Sequence, residues 1–114
     1  MRSLSNNEQM LIAHLAEKLD GHERAQLLED AAHATADLAA KDGSKIIFEI
    51  ADYRRPNYCG QHPFSAEGKM FDSDDAELSV LLHADENGRL LELEFIRWDL
   101  NDVRSPQWNT LQVF

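Results

Sequence analysis

An Asn-Gly pair at residues 87–88 lies between two runs of alternating apolar and polar residues, Glu77–Asp85 and Arg89–Trp98. Asn-Gly is strongly favoured in two-residue β-hairpin turns, because both turn residues adopt positive φ. Such a turn sets a register in which every pair on one face is apolar: Ala84 with Leu91, Leu82 with Leu93, and Val80 with Phe95. Since the turn and the hydrophobic pattern agree, the segment is predicted to be a β-hairpin with one buried face.

The opposite face of this hairpin is predicted to be acidic. The same register places His83 opposite Glu92 and Leu81 opposite Glu94. Residues 72–99 contain nine Asp or Glu residues against two Arg and no Lys. We therefore expect the carboxylates of this face to be open to water, where they would attract a positively charged partner.

Two helices are predicted before the sheet. Ser5 and Glu8 form a capping-box pattern, in which each side chain satisfies a backbone N–H at the start of a helix. Asp20 is predicted to cap a second helix that ends near Asp30. The apolar residues of the first helix recur at helical spacing and define one buried stripe: Leu11, Ile12, Leu15, Ala16 and Leu19.

Residues 31–40 fit two structures. Their alanines favour a helix, whereas their apolar–polar alternation favours a strand. A strand is predicted because Asp42-Gly43 follows at once and Ser44–Ala51 alternates as a strand does. A three-residue loop at 42–44 would pair the two strands through apolar residues: Ala40 with Ile46, Leu38 with Phe48, and Ala36 with Ile50.

The remaining segments carry weaker signals. Residues 52–65 contain two prolines and are interpreted as a long connection, and connections of this length are usually functional or mobile. A short third strand is predicted at 66–71 and a turn at 72–75. Residues 99–114 are predicted to form an irregular tail, although its apolar residues can pack on the rest of the domain: Trp108, Leu111, Val113 and Phe114.

The predicted fold class is α+β, in one domain that spans residues 1–114. Two N-terminal helices at about 5–30 would pack on a four- to five-stranded antiparallel sheet of hairpins at about 31–98. The helices would cover one face of the sheet and leave the tail outside it.

Composition excludes several classes of ligand. The 21 acidic and 11 basic side chains give a net charge of −10, which disfavours nucleic acid and anionic membranes as ligands. The single cysteine, Cys59, rules out an internal disulfide and indicates a reducing compartment. No apolar run approaches the roughly 18 residues of a membrane span, and residues 1–4 lack the apolar core of a signal peptide. We therefore expect a cytoplasmic protein.

Three motifs resemble those of a family of small uncharacterised bacterial α+β proteins. Asp42-Gly43-Ser44 matches its Asp-Gly hairpin, Asp72-Ser73-Asp74 its acidic turn, and residues 85–94 its closing Asp-x-x-Gly-x-Leu-x-Glu-Leu-Glu pattern. Asp75-Ala76 departs from the Asp-Gly that often follows the turn in that family. This resemblance implies a fold and no chemistry. In size, acidity and layout, the chain is also similar to immunity proteins of bacterial toxin systems, including contact-dependent inhibition.

Two residue groups suggest catalysis or metal binding. Cys59 and His62 would be a nucleophile–base pair or half of a zinc site, but no second ligand pair or oxyanion-hole motif accompanies them. The acidic turn does not fit an EF-hand loop, because Glu77 stands where Gly is needed and His83 where the bidentate Glu is needed. We therefore predict no metal and no cofactor.

Two further groups are interpreted as structural. His83 and Glu92 would form an ordinary cross-strand pair of opposite charge rather than an acid–base pair. The basic cluster Arg54-Arg55 would bind a carboxylate, or neutralise acid within this protein or in a dimer mate. An isolated cluster of this kind in an acidic chain is a poor nucleic-acid footprint.

The preferred hypothesis is a non-enzymatic acidic binding protein. In its most concrete form, it is an immunity protein that neutralises a basic bacterial toxin such as a nuclease, whose substrate groove is cationic. Trp98 is a candidate apolar anchor, although the tail is expected to cover it. The predicted partner-binding carboxylates are Asp72, Asp74, Asp75, Glu77, Glu92 and Glu94. Two alternatives stay open: a small enzyme or ligand-binding domain around Cys59 and His62, and a homo-oligomeric structural module, such as a homodimer, joined through the sheet face.

Overall fold

The computed structural model describes residues 2–57 and 60–114. Two N-terminal helices, α1 (Asn6–Ala16) and α2 (Gly21–Ala32), pack on one face of a seven-stranded antiparallel sheet. In order across the sheet, the strands are β1 (Arg2–Ser3), β2 (Ala34–Leu38), β3 (Lys45–Ile50), β6 (Leu90–Arg97), β5 (Glu77–Ala84), β4 (His62–Phe71) and β7 (Gln107–Val113). The α+β class and the N-terminal helices are confirmed, but the predicted number of strands was too low.

Side-chain caps begin both helices, as predicted. The Ser5 hydroxyl accepts the Glu8 N–H (3.1 Å), and the Glu8 carboxylate accepts the Ser5 N–H (2.8 Å). Arg2 also donates to both Glu8 oxygens at 2.7 Å, which fixes β1 against the start of α1. At α2, the Asp20 carboxylate accepts the Glu23 N–H (2.9 Å). These bonds satisfy N–H groups that a helix start otherwise leaves without partners.

The core lies between the helices and one face of the sheet. The predicted apolar stripe of α1 is buried throughout, and α2 adds Leu27. Each buried Leu, Val or Phe contributes roughly 1.5–3 kcal/mol, so this face determines the register of the sheet. The fully buried side chains that meet the helices come from four strands: Phe48, Met70, Leu78, Val80, Leu82, Leu90 and Leu93.

The hairpin of β5 and β6 keeps most of its predicted register. Val80 pairs with Phe95 and Leu82 with Leu93, as the alternation predicted. Near the turn the prediction was wrong, because Ala84 pairs with Leu90 rather than with Leu91, across a β-bulge. The Asp85 carboxylate accepts the N–H groups of Asn87 (2.9 Å) and Arg89 (3.1 Å), and so holds a turn longer than two residues.

The pairing of β2 with β3 is shifted by two residues from the predicted one. Ala36 lies opposite Phe48, and Leu38 lies opposite Ile46. The shift arises because the connection spans residues 39–44 instead of 42–44, with Gly43 at φ 77°. A shift of two keeps the same side chains on the buried face, since the side-chain period of a strand is two. Residues 31 and 32 end α2 instead of starting the strand.

The predicted irregular tail contains the seventh strand. β7 pairs with β4, and a register shift separates the Lys69–Gln112 pair from the Phe71–Gln107 pair. Trp108 packs edge-on against Phe95 with ring centroids 5.8 Å apart. The expected packing of tail residues on the rest of the domain is therefore confirmed, and the expected irregular backbone is wrong. No helix in the described part of the chain has the length and apolar character needed to cross a membrane.

Candidate functional site

The face of the sheet opposite the helices, here called the outer face, carries charged and half-buried apolar side chains. The strand registers place Ile47, Leu81 and Ile96 on this face, each partly exposed. Carboxylates outnumber ammonium groups around these residues. The charged residues of the outer face are Asp37, Glu49, Glu67, Glu77, Glu92 and Glu94, against Lys45 and Lys69.

Two apolar side chains extend into solvent where β6 ends. Trp98 is 69% exposed and Leu100 is 95% exposed. The expectation that the tail covers Trp98 is therefore wrong. The indole N–H of Trp98 donates to the Ser79 hydroxyl (2.9 Å), which orients the ring. Leu100 has a φ of 67°, a left-handed conformation that costs a residue with a Cβ roughly 1–2 kcal/mol.

Asp99, between these two apolar residues, is held by the Arg97 guanidinium. Its oxygens accept from Arg97 Nε (2.8 Å) and Nη2 (3.0 Å), and the Asn101 N–H adds a third bond (3.1 Å). The guanidinium lowers the pKa of Asp99 far below its usual range. Trp98 and Leu100 are thus displayed on a turn fixed by hydrogen bonds.

Arg97 is almost fully buried and binds two more carboxylates. It donates to Asp74 through Nη1 (2.9 Å) and Nη2 (2.6 Å), and to Asp72 through Nη1 (2.9 Å). The hydrogen bonds to Asp99 and Asp74, and next the bond to Asp72, raise the pKa of Arg97 well above its ordinary value. One cation therefore fixes the acidic turn, the end of β6 and the segment beyond it.

Asp72 is completely buried, so the prediction that its carboxylate faces water is wrong. It accepts backbone N–H bonds from Ser73 (2.8 Å), Arg104 (2.8 Å) and Ser105 (2.7 Å). Burial alone would raise the pKa of Asp72, but these N–H donors and Arg97 outweigh burial and lower it. Its contacts attach residues 104–105 to the acidic turn, which is a structural role.

Four of the seven predicted binding residues lie together at one end of the sheet. Phe71 pairs with Glu77, and Leu78 pairs with Arg97, so Phe71, Glu77 and Trp98 follow one another across three strands. Asp74 and Asp99 lie at the same end through their bonds to Arg97, whose side chain projects from the core-facing side of β6 beside Leu78. We call this surface the Trp98 patch, and it consists of Phe71, Asp74, Asp75, Glu77, Trp98, Asp99 and Leu100.

Glu92 and Glu94 lie elsewhere on the outer face. They precede Trp98 by six and four residues, which corresponds to roughly 20 and 13 Å along a strand. The prediction that both are free in water is wrong for Glu92, which is only 6% exposed. Glu94 is a partly buried neighbour whose Oε1 lies 3.1 Å from His83 Nε2, and whose Oε2 lies 3.8 Å from Lys45 Nζ.

The predicted basic cluster contributes one structural cation. Arg55 donates to Asp85 (3.0 Å) and to the Phe48 carbonyl (2.6 Å), so the expectation that it neutralises acid within the protein is confirmed. The Tyr53 hydroxyl donates to the same carboxylate (2.6 Å). Burial raises the pKa of Asp85, but its hydrogen-bond donors lower it more. Arg89 ties this turn to the buried Asp30 of α2 at 2.7 Å.

Only one member of the predicted Cys59–His62 pair lies among the described residues. Cys59 lies outside the described residues, and His62 is an exposed residue at the start of β4. The catalytic or ligand-binding hypothesis for this pair stays a prediction.

Sequence reasoning missed Arg97 and Leu100 altogether. Arg97 gave no signal, because two of its three carboxylate partners, Asp72 and Asp74, lie 25 and 23 residues away in the chain. Leu100 was detectable as an apolar residue between Asp99 and Asn101 in a segment predicted to be irregular.

The fold and the Trp98 patch define a small α+β domain with an exposed tryptophan beside several carboxylates. The chain belongs to the domain family of unknown function DUF6984, whose family model matches residues 1–106. The resemblance to an uncharacterised family is thereby confirmed at this level. Comparisons with curated proteins and with solved structures gave no match.

Proposed function

We propose that this protein is a non-enzymatic binding protein that docks a basic protein partner on the Trp98 patch. The observation that carries the proposal is the display of Trp98 and Leu100 on a turn fixed by Arg97 and Asp99. Exposed Leu at positive φ is energetically unfavourable, since Gly or Asn would adopt the same turn at lower cost. Contact with a partner would bury both side chains and compensate for that cost.

Charge around the patch selects a basic partner. The patch and the buried Asp72 together supply five carboxylates against three cations: Arg97 pairs with Asp72, Asp74 and Asp99, Lys69 with Glu77 at 3.0 Å, and Arg104 with Asp74 at 3.6 Å. This end of the sheet therefore keeps an excess of negative charge. The net charge of −10 extends the attraction beyond the patch. Complementary charge of this kind accelerates association and makes the rate fall with salt.

In its concrete form, the partner is a bacterial toxin with a cationic substrate groove, such as a nuclease, and this chain is its immunity protein. A groove built to bind a polyanion would accept the acidic rim, while Trp98 fills an apolar pocket beside it. The loose resemblance to immunity proteins in size and acidity agrees with this form.

The test uses the purified full chain and the basic protein encoded beside its gene, with binding rates measured at 50 and 300 mM NaCl. Trp98→Ala is expected to weaken binding by about 30- to 1,000-fold, the effect of losing an interface anchor worth roughly 2–4 kcal/mol. The association rate of the natural chain is expected to fall at the higher salt. For the immunity form, the natural chain is expected to rescue cells that produce the toxin, and the Trp98→Ala variant is expected to fail.

Leu38→Ala is the matched control, because Leu38 is also an exposed apolar residue (59%) but lies in β2, two strands away from β6. It is expected to leave binding unchanged. Equal binding by the natural chain and the Trp98→Ala variant would contradict the proposal. So would a partner that is itself acidic, or association that does not respond to salt.

A further inference from the structure

His83, Glu92 and Glu94 form a compact group on the outer face, well away from the Trp98 patch. One ligand atom from each lies within 4.8 Å of the other two, and His83 and Glu92 are both buried. The group follows from the sheet register, because His83 and Glu92 are cross-strand partners and Glu94 is two residues further along the same face. The three side chains therefore come from two rigid strands.

The described residues do not balance the charge of this group. Among them, the Glu92 carboxylate accepts one hydrogen bond, from the Gln61 side-chain amide (2.9 Å), and no Lys or Arg lies within ion-pair distance of it. Burial of a carboxylate without a cation is strongly unfavourable. Lys45 reaches only Glu94, at 3.8 Å, and its own side chain is 45% exposed.

Protonation of His83 does not complete the group either. Its Nε2 lies 3.1 Å from Glu94, but its Nδ1 is buried and has no hydrogen-bond partner within the described residues. A protonated ring would supply one positive charge against two carboxylates and would bury the Nδ1 N–H without a described acceptor, at a cost of roughly 1–3 kcal/mol. A neutral ring would leave the Glu92 charge uncompensated. A divalent ion bound through Nε2 would balance both carboxylates, and the Nδ1 N–H would then need a water molecule as its acceptor.

We propose that His83, Glu92 and Glu94 bind a divalent transition-metal ion of the Zn²⁺ type. One imidazole nitrogen and two carboxylate oxygens are ligands that Zn²⁺ accepts. Bonds of about 2.0–2.2 Å in tetrahedral geometry place ligand atoms about 3.3–3.6 Å apart. The 3.1 Å between His83 and Glu94 is close to that spacing, and the widest pair, at up to 4.8 Å, closes by a rotamer adjustment of about 1 Å.

The ion would enter from the Glu94 side. The Glu94 side chain is 20% exposed, whereas that of His83 is 5% exposed. Lys45 would move into solvent as the ion takes its place beside Glu94. Three protein ligands leave a fourth position, which a water molecule would occupy.

The test is calorimetric titration of Zn²⁺ into the metal-free full chain. We expect one ion per chain and a rise in the unfolding temperature when Zn²⁺ is present. Glu92→Gln is expected to weaken Zn²⁺ binding by at least 10- to 100-fold. Replacing a residue that only hydrogen-bonds a metal ligand has an effect of that size, and the loss of a direct ligand is expected to be no smaller. Without metal, the same variant is expected to be at least as thermally stable as the natural chain, because it removes an uncompensated buried charge.

Three controls separate this site from other metal-binding groups. Glu67→Gln removes an exposed carboxylate from the same face, and His62→Asn removes an exposed imidazole. Both are expected to leave Zn²⁺ binding unchanged. Cys59→Ser removes the thiol and is likewise expected to leave Zn²⁺ binding unchanged.

Absence of one-to-one Zn²⁺ binding would overturn the proposal, as would Zn²⁺ binding that survives Glu92→Gln or that is lost only with His62 or Cys59. If Glu92→Gln does not fold, the absorption spectrum of the natural chain with Co²⁺ decides. Visible bands of tetrahedral nitrogen and oxygen ligation would support the site, and a spectrum like that of free Co²⁺ would overturn it.

Discussion

Asp72 and Asp75 are neighbours in the sequence that have opposite environments. Asp72 is fully buried and accepts four hydrogen bonds, from Arg97, Ser73, Arg104 and Ser105. Asp75 is exposed and has a φ of 66°, which Asp and Asn tolerate better than most residues. No local pattern distinguished them, because three of the four partners of Asp72 lie 25 to 33 residues away in the chain.

Asp72→Asn is expected to lower the free energy of unfolding by about 3 kcal/mol. The amide removes the negative charge opposite the buried Arg97, and its NH₂ group opposes backbone donors. Asp75→Asn is the matched control, with an expected change within about 0.5 kcal/mol. Urea denaturation of both variants at pH 7 measures the two effects. Equal effects would mean that the acidic turn acts as a solvated charge cluster instead of a structural clamp.

At the scale of elements, the sequence predicted best where side-chain period and turn chemistry agreed. The stripe of α1 and the β5–β6 pairing beyond the bulge were correct, because both alternate or repeat regularly over two or more turns or pairs; the pairing beside the turn was not. β7 was missed because its apolar residues, Trp108 and Leu111, are three apart. A register shift in the β4–β7 pairing lets both pack against the core, and no sequence period reveals such a shift.

The β5–β6 turn gives a direct test of backbone conformation as the determinant of the hairpin. Gly88 has a φ of 74°, whereas Gly21 begins α2 with an ordinary negative φ, and a Cβ would meet no atom within 4 Å at either residue. Gly88→Ala is therefore expected to lower the free energy of unfolding by about 1–2 kcal/mol through strain alone. Gly21→Ala is expected to raise it by about 0.4–1 kcal/mol by restricting the unfolded chain.

Denaturant midpoints of the two glycine variants, at equal slopes, provide the measurement. A neutral or stabilising Gly88→Ala would mean that the turn relaxes without positive φ. The β5–β6 hairpin would then be held by its Asp85 contacts and by Arg89 on Asp30, and the Asn-Gly pair would contribute little.

For the whole molecule, the predicted acidity was correct as a total and wrong in distribution. Five of the carboxylates are paired with only three arginines. Arg97 binds three of them, and Arg55 and Arg89 bind one each. Four of these five pairings join residues distant in sequence, so composition could not identify which acids remain free. The acids of the Trp98 patch became a candidate site only when the sheet aligned three strand ends.

The charge distribution predicts how stability depends on pH. The pKa values of Asp72, Asp74 and Asp99 are lowered in the folded protein, in each case with Arg97 as a hydrogen-bond donor. Groups with a lowered folded pKa stabilise the fold fully above their unfolded pKa of about 3.9, and this stabilisation is lost as the pH falls through the lower folded values. The natural chain is therefore expected to lose stability steeply below about pH 4.

Arg97→Gln should flatten that acid dependence, because its three carboxylates would lose their shared cation and titrate closer to the unfolded value. The variant is expected to be less stable than the natural chain at pH 7, and the difference should shrink as the pH falls below about 4.

Lys69→Gln removes the same charge from an exposed pair with Glu77 and should leave the pH profile parallel to that of the natural chain. Urea midpoints between pH 7 and pH 2.5 provide the comparison. A constant difference in stability between Arg97→Gln and the natural chain at every pH would show that Arg97 stabilises the fold by packing. The interpretation that Arg97 holds the acids of the Trp98 patch through their charge would then be wrong.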